Sequence, residues 1–171
     1  MRGALLIDIL RDRTGSASAE MVLVAPLLLV LMLGAAETGN YFLNEHTLAK
    51  AVRDGARFAA RQSFNNYASC SGTPGGTVQA DTRNVVMNGY LSGGSVLTPN
   101  ISAPDITVTT DCFTGAVGGE SMLGLYRNRA NGAQIVTVSA TVPYRPVLAS
   151  FGFSGIGLNL NATSQAAVTG L

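Results

Sequence analysis

Between Glu20 and Glu37 the chain runs through sixteen uncharged residues, Met21 to Ala36, reading MVLVAPLLLVLMLGAA. At 1.5 Å per residue this is a helix of about 24 Å, short of the roughly 30 Å hydrocarbon core of a bilayer. The uncharged residues Ser16 to Ala19 supply the missing turn, but they then place Glu20 inside the hydrocarbon edge. A carboxylate at the centre of a membrane helix is disfavoured by roughly 2.5 to 3.5 kcal/mol, and by less near the interface, so Glu20 calls for a partner. A secretory signal peptide fits poorly, because the chain continues as a helix through Gln62 instead of offering a small-residue cleavage site after the apolar run. A buried core helix is unattractive too, since the rest of the chain has too few strongly apolar elements to wrap such a run. The pattern predicts a membrane anchor.

Beyond the anchor, Tyr41 to Gln62 keep the helical period, with Leu48, Val52, Ala56 and Ala59 or Ala60 on one face. Ala51, Gly55 and Ala59 form a stripe of small residues that permits close packing against a sheet or another helix. Arg53, Arg57 and Arg61 make a basic stripe beside it, open to a solvated role or to an anionic partner, and Asp54 can pair with Arg57 or Arg61. Ser63 to Gly76 is rich in Asn, Ser, Gly and Pro and reads as a loop. Thr77 then caps a helix from Val78 to Leu91, with Val78, Val85, Val86 and Tyr90 at helical spacing and Gly93-Gly94 as its end. Three runs alternate as strands: Ile106, Val108, Thr110 and Cys112; Val136 to Tyr144; and Leu158, Leu160, Ala162, Ala166 and Val168. The predicted architecture is α+β, a long N-terminal helix packed on a small antiparallel sheet of about three strands.

Composition narrows the function classes. Eleven Lys and Arg against ten Asp and Glu leave no basic excess, so nucleic acid is not an expected partner. His46 is the single histidine and lies on the stalk, so a Ser-His-Asp arrangement would have to use it. There is no CxxC pair, no P-loop and no GxGxxG after a strand, and the acidic residues are scattered singly. The expectation is a non-enzyme without metal or cofactor. Cys70 and Cys112 suit a disulfide if the domain is extracytoplasmic; buried free thiols or a metal pair are the alternatives. Arg2, Arg11 and Arg13 precede the anchor and favour a cytoplasmic N-terminus, a bias of three against the two cations Lys50 and Arg53 on the far side.

The string Gly15-Ser16-Ala17-Ser18-Ala19-Glu20, set directly against the apolar run, resembles a prepilin processing site, where a peptidase cuts after Gly and leaves Glu as the fifth mature residue. With Pro26 six residues after Glu20 and the string Arg53-Asp54-Gly55-Ala56-Arg57 downstream, the opening of the chain resembles TadE-like proteins, the pseudopilins of tight-adherence (Flp) pili. The resemblance is close over about sixty residues and holds only in strand pattern beyond Gln62. It implies a leader at residues 1–15, a transmembrane helix at 16–40, a stalk at 41–62 and an extracytoplasmic domain at 63–171. It also implies a bacterial inner-membrane protein with a prepilin peptidase, other pilins and the assembly platform as partners. Glu20 would serve peptidase recognition and subunit addition, paired with the new amine of Ser16 or with a neighbouring protomer. Pro26 lacks an amide and should kink or loosen the helix. An unprocessed, permanently anchored scaffolding or binding protein of the TadG type is the alternative.

Overall fold

A computed structural model of the chain describes residues 14–68, 70, 72–94, 105–114, 122–127, 129, 131–152 and 157–170. Of the expected leader, residues 1–15, the part up to Arg13 lies outside them. The described residues divide into two compact units, the first ending at Asn40 and the second spanning Tyr41–Leu171. Helix α1, Thr14–Ala60, contributes to both.

In the first unit α1 continues through Pro26. The proline nitrogen has no hydrogen to donate to the Val22 carbonyl, so one rung of the ladder is missing there while the helical path persists.

The second unit is built on the last five turns of α1. Leu48, Ala51, Val52, Ala56, Ala59 and Ala60 are buried, the face that the helical period predicts. The helix stops at Ala60, two residues before the expected Gln62, because its terminal carbonyls are taken by other donors. Arg61 and Gln62 turn back to Phe58 and Ala59 at 3.2 and 3.0 Å, and Thr169 donates to Ala60 through both its amide (2.8 Å) and its hydroxyl (3.2 Å). The following loop contains a short 3₁₀ turn, Phe64–Tyr67, started by Ser63, whose hydroxyl accepts from the Asn65 amide. Tyr67 is fully buried and donates its hydroxyl to the Ala59 carbonyl.

Helix α2, Val78–Asn88, is shorter than the expected Val78–Leu91. Gly89 ends it in the left-handed conformation (φ 75°), donating to the Val85 carbonyl at 2.9 Å, before Gly93-Gly94 is reached. Only glycine takes that backbone without strain. Tyr90 therefore falls outside the helix and is 65% exposed. Thr77 sits at the cap position but caps no amide; its hydroxyl donates to the Asp81 carboxylate at 2.6 Å.

Strands β1 (Asp105–Phe113), β2 (Ala133–Pro143) and β3 (Asn159–Ala167) form one antiparallel sheet in the order β1-β2-β3. The register sets Ile106 opposite Ala140 and Ala140 opposite Ala162, and likewise Val108 opposite Val138 and Val138 opposite Ser164. Ile106, Val108, Val136, Val138, Ala140, Val142, Leu160 and Val168 are buried with the α1 face in a single apolar core. The α+β architecture of the sequence reading is thus the one observed. Leu158 is an exception, since it precedes β3 and is 44% exposed, its carbonyl accepting from the Tyr144 amide at 2.9 Å. The edge of β1 is partly satisfied by other elements: Arg83 of α2 donates to the Ile106 carbonyl at 2.9 Å, and Thr110 donates to Gly72 at 2.8 Å. Such contacts blunt an open strand edge.

Candidate functional site

Gly15 and Ser16 occupy the first turn of α1, and Glu20 stands exposed one turn further on. Four helical steps lead from Ser16 to Glu20, about 6 Å of rise.

From Met21 to Met32 the large apolar side chains are exposed, from 45% at Val24 to 79% at Leu23. The most apolar window of the helix buries none of its residues within the chain. A soluble helix keeps an apolar stripe facing its core, whereas one apolar all round needs an apolar solvent. By length and composition α1 is fit to cross a bilayer once, consistent with a single-pass anchor.

The string Arg53-Asp54-Gly55-Ala56-Arg57 divides between two sides of α1. Arg53, Asp54 and Arg57 are exposed, with the Asp54 and Arg57 side chains 3.9 Å apart, a loose surface pair. Such pairs contribute little. Gly55 and Ala56 are buried. A Cβ on Gly55 would overlap Cγ2 of Val86 and lie 3.5 Å from Cγ2 of Thr82, so the small residue serves the approach of α2. Of the two uses the small stripe allowed, a sheet or another helix, Gly55 takes the helix. Arg61 is exposed beyond the helix end, and His46 is exposed on α1.

Cys70 and Cys112 are joined in a disulfide, their Cα atoms 5.0 Å apart and 42 positions apart in sequence. The bond ties the loop after α1 to the end of β1. Among the described residues no three His, Cys, Asp or Glu side chains gather as a metal site would require.

Several contacts could not be read from periodicity. Tyr41 meets Tyr144 edge to face, with ring centroids 5.2 Å apart. The Arg129 guanidinium lies 3.3 Å above the Phe64 ring, which also meets Tyr126 edge-on. Gln134, buried in β2, donates to the Tyr67 carbonyl at 2.8 Å. Each joins residues distant in sequence, and the only local sign was the aromatic or amide character of the residue itself.

No curated protein and no solved structure matches the chain. A family model does: the one described as TadE-like protein matches residues 15–57, from Gly15 to the second arginine of RDGAR. The match covers the exposed apolar helix and ends within the buried stretch of α1, so it spans the very residues that carried the resemblance. Over residues 15–57, this chain is similar to the TadE-like family.

Proposed function

We propose that the protein is a TadE-like minor pilin or pseudopilin that takes part in assembling tight-adherence (Flp, type IVb) pili. The observation that carries this reading is a register: Gly15 and Glu20 stand at the start of an exposed apolar helix, inside the segment that matches the family model. In this reading a prepilin peptidase hydrolyses the peptide bond after Gly15 and recognises Glu20. The chain is a substrate and scaffold, not an enzyme. It stays in the inner membrane until incorporation, with its N-terminus cytoplasmic and Tyr41–Leu171 outside. The Cys70–Cys112 disulfide supports that orientation, because such bonds persist in oxidising compartments. The apolar helix packs in the membrane with those of other pilins or of the assembly platform, and Glu20, paired with a neighbouring amine, guides subunit addition.

The test is the N-terminus and intact mass of the protein from membranes of cells with and without the peptidase. The expected result is a peptidase-dependent start at Ser16. An identical, uncleaved N-terminus in both strains would replace this reading with that of a fixed, TadG-type anchor.

A further inference from the structure

The two edges of the sheet differ. Tyr144 donates its amide to the Leu158 carbonyl and Val168 donates its amide to the Gln134 carbonyl, both in register with the β2–β3 ladder. Antiparallel partners alternate in this bonding, so the even-numbered residues of β3 turn their backbone groups towards β2 and the odd-numbered ones turn theirs outward. On β1 the outward groups belong to the even-numbered residues, and two of them are already taken, the Ile106 carbonyl by Arg83 and the Thr110 amide by Gly72. β1 also carries Asp105 and Asp111. From Asn159 to Ala167 the other edge has no such guard. The strand contains no charged residue, no proline and no glycine, and it pairs with β2 without a bulge along its whole length. Among the described residues, no hydrogen bond reaches the outward amides and carbonyls until Thr169, whose amide donates to the Ala60 carbonyl. Burial repeats the contrast. Ile106, Val108 and Thr110 of β1 are at most 2% exposed, whereas Ala162, Ser164 and Ala166, in the same three rows of the sheet, are only half-buried. The core is therefore open along β3.

We propose that this edge is an interface between two copies of the chain, their β3 strands pairing antiparallel about Thr163 into one continuous sheet. The open window sets the register. Thr169 closes the edge at one end and Asn159 begins it at the other, so full use of the segment places Thr163 opposite its own copy, Asn161 opposite Gln165 and Asn159 opposite Ala167. All of these are odd-numbered, so every outward amide and carbonyl meets a partner. The same register is self-matched in its side chains. On the outer face threonine meets threonine and the Asn161 amide meets that of Gln165; on the inner face Ala162 meets Ser164 and Leu160 meets Ala166, closing the open side of the core. No like charges oppose one another anywhere along it. An isologous contact of this kind closes on two copies, and the edges that remain are the two guarded β1 strands. Pairing through β3 is independent of how the N-terminus is processed.

The test uses the full-length protein in detergent, its mass measured by sedimentation equilibrium in density-matched solvent. The parent should be a dimer. Thr163→Cys should form a disulfide between chains on mild oxidation, because its Cα stands about 5.5 Å from its copy, within the span of about 4.4 to 6.8 Å that the bond bridges. Asn159→Cys, about 27 Å from its own copy, and Thr109→Cys on β1 should not. All three replace exposed side chains, and retained protease resistance verifies the fold. Should Thr163→Cys lose it, the double variant Asn161→Cys with Gln165→Cys reads the same register, its two cysteines about 14 Å apart in one strand and able to link only across copies. Thr163→Lys sets like charges opposite each other and should weaken the dimer about fivefold while leaving protease resistance unchanged. A monomeric parent with no linkage through either cysteine design overturns the proposal. So does a dimer that links Thr163→Cys no better than Thr109→Cys, or that is indifferent to Thr163→Lys, since association then belongs to another surface such as the apolar helix. Slow amide exchange at Thr163 and Gln165 in a monomer would mean that the edge is covered within its own chain, and overturns the proposal as well.

Discussion

At Glu20 a carboxylate stands exposed at the head of a helix whose following turns are apolar on every side. Its cost in the membrane is electrostatic, so Glu20→Ala should insert at least as well as the parent chain. Its use, in the reading proposed above, lies in pairing with an amine, so the same variant should form fewer pili. Membrane fractionation and pilus counts on the same cells check both halves, and normal piliation would remove the assembly role. Tyr67 makes a different kind of statement. Burial pushes its phenol up to about 12, because the phenolate would have to exist without water in the core. The unfolded chain releases this proton near the ordinary value of about 10, before the folded chain does. The contribution of Tyr67 to stability is therefore complete below about pH 10 and is lost as the pH rises towards 12. Tyr67→Phe should lower stability at neutral pH by about 1 kcal/mol, for the lost bond to the Ala59 carbonyl, and should flatten the alkaline decline. Denaturant midpoints of the detergent-solubilised protein at about pH 8 and about pH 11 separate the two effects, and an equally steep decline in the variant would acquit Tyr67.

At the scale of elements, the interface of α1 with α2 depends on the absence of a side chain at Gly55. A methyl there meets Val86, and a leucine meets Thr82 as well. Gly55→Ala should cost about 1 to 3 kcal/mol, with Gly55→Leu worse, and Val86→Ala in the same chain should recover part of the loss by vacating the contested volume. A double-mutant cycle on urea midpoints measures this, and strict additivity would mean that the two helices do not share that space. The disulfide acts on an element of another kind, the long connection from the end of α1 to β1. Closing a loop of 42 positions stabilises by about 4 kcal/mol in the chain-entropy model. The paired variant Cys70→Ser with Cys112→Ser should therefore melt well below the parent, and reductant should shift the parent towards it. Coincident melting curves for all three would show that the bond carries no stability.

Over the whole molecule, what could be read in advance follows from period and from adjacency. The exposed apolar run, the buried face Leu48, Val52, Ala56 and Ala59, and the alternating strand faces are local patterns, and a local pattern dictates which side of an element seeks an apolar partner. The string from Gly15 to Glu20 is local as well, and the family match spans both it and RDGAR. Element ends were less legible. Ala60 ends α1 because Thr169, more than a hundred positions away, takes its carbonyl, and no window around Gln62 contains that donor. Gly89 could have been favoured over Gly93 as the stop for α2, but three nearby glycines offered the same chemistry and only packing chose among them. The sequence by itself determined that one segment must find an apolar solvent and that the remainder is α+β. Those properties depend on the order of side chains along a helix or strand. The tertiary structure alone decided that Gly55 serves a helix and not the sheet, that Tyr67 is sealed in the core, and that Tyr41 holds Tyr144 and the β2–β3 connection beside it. Each of these joins residues far apart in the chain, and such pairs form only where the closed core brings their elements within van der Waals reach.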